Sequence, residues 1–124
     1  MRKYRNVPQT WKGIRYDSKD ECLHAMWLES ERKQKKILKW IPKKNYDLLA
    51  YSPRVNMPSH VIGRHIPDFT VIKNDGNLEI HEVKGFKTDV WQIKRKIFEA
   101  NYPHIEYKVF TKGKQWKPKV IQFD

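Results

Sequence analysis

His65-Ile66-Pro67-Asp68-Phe69-Thr70-Val71-Ile72-Lys73-Asn74-Asp75-Gly76-Asn77-Leu78-Glu79-Ile80-His81-Glu82-Val83-Lys84 is the stretch on which the reading of this chain turns. Two runs rich in β-formers flank Asn74-Asp75-Gly76, which predicts a hairpin. A three-residue connection suits a type I turn followed by a left-handed residue, and Gly76 adopts that conformation without a Cβ clash. Lys73 then faces Asn77. Counting back along both strands brings Asp68 opposite Glu82, with both side chains on one face and Lys84 joining them two residues on. A two-residue connection at Asp75-Gly76 would turn Glu82 to the other face.

The same face carries Ile66, Ile72, Leu78 and Ile80, so an apolar surface ends in two carboxylates and an ammonium group. Packing a helix against it would desolvate those charges unless they were compensated. Two readings stand at this point: a satisfied ion cluster at a sheet end, or carboxylates that bind a cation.

Outward from the hairpin, Ser18-Lys19-Asp20-Glu21 is a capping box that predicts a helix running to about Gln34, with Cys22, Leu23, Ala25, Met26, Trp27 and Leu28 as its apolar face. Glu21 opens the stripe Glu21, Ala25, Leu28 and so lies at the border of that face; a capping role and a site role both remain open. Glu29 is a second acidic residue near the face, two turns further on. Ile37–Ile41 and Tyr46–Tyr51 read as strands, separated by the turn Pro42-Lys43-Lys44-Asn45. Residues 52–63, with Pro53, Pro58 and Gly63, read as an excursion that could contact substrate.

After Lys84, Gly85 and Phe86 interrupt the strand, and Thr88 or Asp89 caps a second helix that ends before Tyr102-Pro103. Its helical projection gives an apolar arc of Val90, Trp91, Ile93, Ile97 and Phe98 with Lys94 inside it, and Gln92, Arg95, Lys96 and Glu99 opposite. Ile105, Tyr107 and Val109 alternate as a further strand. Residues 1–16 read as a basic, aromatic arm, or as a terminus pinned by Trp11. Residues 111–124 read as a basic tail.

The 124 residues fit a single domain, 1–124, with an arm (1–16), a core (17–110) and the tail (111–124), and an apolar fraction of 39% is enough for one core. The formal net charge of +12 points to an anionic partner, nucleic acid ahead of membrane. No apolar run approaches the roughly 20 residues of a membrane span. The start Met1-Arg2-Lys3-Tyr4-Arg5 lacks the apolar segment of a signal peptide. A soluble, cytoplasmic protein is expected, and the lone Cys22 fits a reducing compartment. The run Lys33, Lys35, Lys36, Lys39, Lys43, Lys44 is one-signed, which suits phosphate contact. His60, His65 and His81 do not make a zinc motif, and by register His81 faces away from Asp68 and Glu82.

Pro67-Asp68, a gap of thirteen residues, then Glu82-Val83-Lys84, preceded by Glu21 on a capped helix, resembles the PD-(D/E)XK nuclease superfamily, above all its small phage-encoded, Holliday-junction-resolvase-like members. The resemblance spans roughly Tyr16 to Phe110. It implies an α/β (α+β) fold with a restriction-endonuclease-like core: a mixed β-sheet whose central Asp/Glu-x-Lys hairpin is flanked by two helices. It implies Mg²⁺, with Mn²⁺ able to substitute, bound by Asp68, Glu82, the Val83 carbonyl and Glu21. Lys84 would orient the attacking water, and Lys94 would be an auxiliary cation. The expected activity is a Mg²⁺-dependent DNA endonuclease, selective for branched or junction DNA in phage replication, recombination or packaging, acting in the host cytoplasm as a homodimer. Two other classes compete. One is a non-catalytic nucleic-acid-binding protein on the same fold. The other is an RNA-binding accessory factor using Trp11, Trp40 and Trp116 as stacking platforms.

Overall fold

The computed structural model describes residues 7–51, 59–83, 88–111 and 119–121. The predicted hairpin forms in the expected register. β-strands Phe69–Ile72 and Leu78–Val83 pair antiparallel with Phe69 facing His81 and Ile72 facing Leu78. Gly76 closes the turn at φ +87°, its N–H donating to the Lys73 carbonyl, while the Lys73 N–H donates to the Asn77 carbonyl. The Asp75 carboxylate accepts from the Asn77 N–H and fixes the turn from within.

In chain order the elements are β1 (Gln9–Trp11), β2 (Ile14–Tyr16), α1 (Lys19–Lys33), β3 (Lys39–Pro42), β4 (Tyr46–Ala50), β5 (His60–His65), β6 (Phe69–Ile72), β7 (Leu78–Val83), α2 (Asp89–Asn101), β8 (Glu106–Thr111) and β9 (Lys119–Ile121). The main sheet runs β3-β6-β7-β8-β9, with β7 and β8 parallel and the other pairs antiparallel. A parallel pair needs a crossover, and α2 is that crossover. This is an α+β chain with a mixed sheet. Among the described residues no helix is long and apolar enough to cross a membrane.

The period of 2 along β6 and β7 sorts the core into two layers. Phe69, Val71 and Val83 meet Cys22, Ala25 and Leu28 of α1, with Tyr16 beneath them. On the opposite face Ile80 meets Tyr46 and Leu48 of β4, Phe98 of α2, and Ile105. Both helices start at the caps the sequence predicts. Ser18 Oγ accepts from the Glu21 N–H at 3.1 Å, and Thr88 Oγ1 accepts from the Trp91 N–H at 3.1 Å.

Several expectations are corrected. Residues 9–16 are not an irregular arm but a tight β1–β2 hairpin. Its two turn residues, Lys12 (φ 51°) and Gly13 (φ 77°), have the positive φ pair that a two-residue hairpin turn demands. Trp11 and Ile14 pack against the α1-side core, which is the pinning the aromatic residues suggested. Residues 60–63 belong to β5, paired with β4 across a register shift between Leu48 and Leu49. Residues 52–58 lie outside the described residues. The tail contributes β9, paired with β8. On α1 the buried set includes His24, while Met26 faces solvent. The face that ends in Asp68 and Glu82 buries Ile80, but Ile66 is 52% exposed.

Candidate acidic site at the end of the central hairpin

Asp68 and Glu82 are cross-strand neighbours, each carboxylate held by a backbone N–H of the opposing segment. The Asp68 N–H donates to Glu82 Oε1 at 2.8 Å, and the Val83 N–H donates to Asp68 Oδ2 at 2.7 Å. The second Glu82 oxygen accepts from the Trp91 indole N–H at 2.9 Å, so the first turn of α2 fixes that carboxylate from above. Both side chains are buried. The placement follows from the register: residues opposite one another on a hairpin face share a side, and the Pro67-Asp68 entry puts the first acid where the ladder begins.

Glu21 joins them through Lys43. The Lys43 ammonium lies 3.1 Å from Glu21 Oε2, 3.1 Å from Asp17 Oδ2 and 3.6 Å from Asp68 Oδ1. The residue follows edge strand β3, its N–H donates to the Asp68 carbonyl, and its backbone sits in the left-handed region at φ 54°. A lysine there carries a conformational cost of order 1 kcal/mol, a type of strain found at sites the surrounding fold over-determines. Ser18 makes its half of the capping box, but the Glu21 carboxylate reaches one residue further back, its Oε2 accepting from the Asp17 N–H at 3.3 Å instead of from the Ser18 N–H. The same carboxylate thus braces the helix start and stands beside Asp68 through Lys43.

Burial pushes the Asp68 carboxyl well above the usual carboxylate range, and the charges of Glu82 and Glu21 push the same way. Lys43 and the Val83 N–H offset this only in part. Burial works against the Lys43 ammonium, but Asp68 and Glu21 outweigh it and hold its pKa above the ordinary lysine value. The Tyr107 phenol feels the same field: burial, then Glu82 and Asp68, raise it, while Arg95 pulls it down.

The remaining sequence candidates divide as follows. Lys84 lies outside the described residues. Val83 supplies its N–H to Asp68. Lys94 is exposed and does not enter the core arc. α2 buries Trp91, Arg95 and Phe98, leaving Val90 and Ile93 63% and 58% exposed. The guanidinium of Arg95 stacks on Trp91 at 5.7 Å and pairs with Glu99, so a charged group takes the place expected for an apolar one. Lys33, Lys35, Lys36, Lys39 and Lys44 are exposed, as phosphate contacts must be, whereas Lys43 has turned inward to the acids. Sequence reasoning missed Lys43 and Arg95 as neighbours of the site. A run of lysines does not show which member turns inward, and a helical projection does not show which long side chain is buried by its stem.

A hard divalent cation selects oxygen donors, and Mg²⁺ is commonly bound by one or two carboxylates with water and substrate phosphate completing its shell. Asp68 and Glu82 match that donor type and number. Among the described residues no group of three His, Cys, Asp or Glu side chains is placed to hold a metal, so Glu21 stands with Lys43 rather than in a three-carboxylate cage.

The chain belongs to the DUF1064 family, described as proteins of unknown function, whose family model matches residues 1–118. No curated protein and no solved structure matches it.

Proposed function

We propose that this protein is a Mg²⁺-dependent DNA endonuclease with a restriction-endonuclease-like core. The observation that carries the reading is the interlocked pair Asp68 and Glu82, two buried carboxylates fixed side by side at the end of the central hairpin. The spacing of that pair ahead of Lys84, the helix-borne Glu21 and the basic surface support it. Asp68 and Glu82 would hold Mg²⁺, which when bound would supply Lewis-acid activation of water and of the scissile phosphate. The chain's own residues do the rest. Trp91 and the Val83 N–H hold the carboxylates in orientation, Lys43 balances their charge beside Glu21, and Lys84 orients the attacking water. Exposed Lys33, Lys35, Lys36, Lys39 and Lys44 contact the phosphate backbone, which positions DNA without reading sequence. Branched or junction DNA is the proposed substrate, and a homodimer the proposed active form.

The second reading is a non-catalytic nucleic-acid-binding protein. What favours it is Lys43, whose ammonium already serves as a cation for Glu21 and Asp68. Incubation with duplex, flap and four-way-junction DNA, in Mg²⁺ or EDTA, separates the two. Cleavage in Mg²⁺ alone, lost in Asp68→Asn, supports the nuclease. Binding without cleavage of any substrate in Mg²⁺ or Mn²⁺ leaves the second reading.

A further inference from the structure

A second locus lies on the outer edge of the sheet, away from the carboxylate pair. The indole rings of Trp11 and Trp40 stand nearly parallel, 14° apart, with centroids separated by 6.4 Å. They line a groove of about 310 Å³ whose remaining wall includes Lys12, Arg32, Lys39 and Glu29. Glu29 organises the groove. It takes a bidentate bond from Arg32, at 2.7 and 2.8 Å, and its Oε1 also accepts the Trp40 indole N–H at 3.1 Å. Lys12 lies 3.6 Å from Glu29 and 5.2 Å from the centre of the Trp11 ring. Three cations against one carboxylate leave the groove positive, and Glu29 holds the Trp40 ring in place before any ligand arrives, with Trp11 set beside it. A second open groove shares Arg32 and continues past exposed Lys33 and Lys35.

Aromatic faces flanked by cations and followed by a lysine track are the chemistry that accepts an unpaired nucleotide: the base stacks, and the phosphates on either side lie against the cations. A hydrophobic peptide would use the rings but not the positive rim, and an acidic one the rim but not the rings. We propose that the Trp11–Trp40 groove binds an unpaired nucleotide of a single-stranded DNA or RNA segment by stacking, with Lys12, Arg32 and Lys39 on its backbone. The location bears on the acidic site. Glu29 lies eight residues beyond Glu21 on α1, about 12 Å along the helix axis at 1.5 Å per residue. An anchored single strand therefore lies within a few nucleotides of Asp68 and Glu82, as a flap or branch would. The inference rests on nucleic acid being the partner, not on cleavage.

Equilibrium binding in EDTA, read by anisotropy of labelled oligonucleotides, tests it without any turnover. An oligothymidylate, an oligouridylate and an abasic strand of equal length are compared with a duplex. Stacking predicts that removing the bases, with every phosphate kept, weakens binding about tenfold, and that Trp11→Ala weakens oligothymidylate about tenfold while leaving the abasic strand and the duplex unchanged. Trp11→Phe, which keeps an aromatic face, should recover most of the loss. A preference between the thymidylate and uridylate strands names DNA or RNA as the source. Equal binding of abasic and base-bearing strands overturns the proposal, and this arm needs no variant that might fail to fold. Trp11→Ala lowering the melting temperature with no change in oligothymidylate affinity overturns it too, leaving the two indoles as packing. Either failure leaves the cleavage assay of the carboxylate pair untouched, so the two readings stand or fall separately.

Discussion

The central hairpin buries two acidic centres, and they are treated in opposite ways. On the α1 side, Glu79 accepts from His81 at 2.8 Å and pairs with Lys108 at 3.1 Å and Lys73 at 3.8 Å. The hydrogen bond from His81, aided by Lys108, holds its carboxyl at about 2 in spite of burial. On the α2 side, Asp68 is pushed the other way by burial and by two carboxylate neighbours. The same strands that surround one acid with donors and cations crowd the other with like charge. A compensated carboxylate needs nothing further, whereas one crowded by like charge is the kind that the proposed cation would relieve.

The most direct way to break the comparison is at the crowded acids. Asp68→Asn and Glu82→Gln should each lower Mg²⁺-dependent cleavage by at least about a thousandfold while DNA affinity stays level or rises, since a neutral site repels phosphate less. Cleavage at the wild-type rate by either purified variant would remove the site from the chemistry. At the compensated acid the expected loss is in stability. Glu79→Ala strands His81 and Lys108 beside a vacated position and should cost about 3 kcal/mol in urea unfolding, with no specific effect on metal dependence. Metal-free Asp68→Asn should be as stable as wild type or more so, and an equally large loss there would erase the distinction.

Acid titration sharpens the contrast on the α1 side. His24 Nε2 and His81 Nδ1 lie 3.0 Å apart in the core, and His81 passes its other nitrogen to Glu79. Burial, reinforced by His81, depresses His24 to about 2, and burial lowers His81 although Glu79 opposes it. With both rings neutral, the bonding pattern has His24 donating to His81 and His81 donating to Glu79. An imidazole depressed on folding binds its proton preferentially in the unfolded chain, so stability is full above the ordinary value near 6.5 and is lost as pH falls below it. The expected slope is up to about 1.4 kcal/mol per pH unit from His24 between pH 6 and 4, and His81 adds to it in the same direction. Chemical denaturation at pH 7.5 and 5 measures it, and His24→Phe should make it shallower. An unchanged slope in that variant would mean that His24 does not carry the pH dependence.

Smaller effects are expected at Glu21 and on the surface. Glu21→Gln keeps a side chain able to complete the cap but weakens the hold on Lys43. It should lower the melting temperature by a few degrees, on the order of 1 kcal/mol, and cleavage about tenfold. A change in stability alone would leave Glu21 as a cap. Single replacements of Lys33, Lys35 or Lys36 should each lower duplex affinity slightly and alike across sequences, with the logarithmic salt slope reduced by about one.

The elements closest together in sequence were the most legible. Three turn residues with Gly76 at the left-handed position fix the hairpin, and hence the meeting of Asp68 and Glu82. Ser18 and Thr88 announce both helices. Lys12-Gly13 between Trp11 and Ile14 also carried a hairpin signal, obscured because lysine is an unusual occupant of a positive-φ turn position. Contacts between distant segments were not legible. The pairing of β3 with β6, which carries Lys43 to Asp68, joins strands about thirty residues apart and leaves no local mark. The burial of Arg95 instead of Lys94 depends on an ion pair with Glu99 and a ring beneath it, neither of which a hydrophobic projection weighs.

The position of β3 at the rim of the sheet has a consequence for how this protein behaves at high concentration. An open strand offers its unpaired N–H and carbonyl groups to any other chain, the usual start of edge-to-edge aggregation. Because the Lys43 N–H is turned inward to the Asp68 carbonyl, alternation along the ladder points the nitrogen of Pro42 outward, and proline has no hydrogen to offer there. Lys39 and Lys44 set like charges against an approaching copy at either end of the strand. The rim is thus built to refuse another β-strand, and replacing Pro42 with a β-branched residue is a change that would invite one.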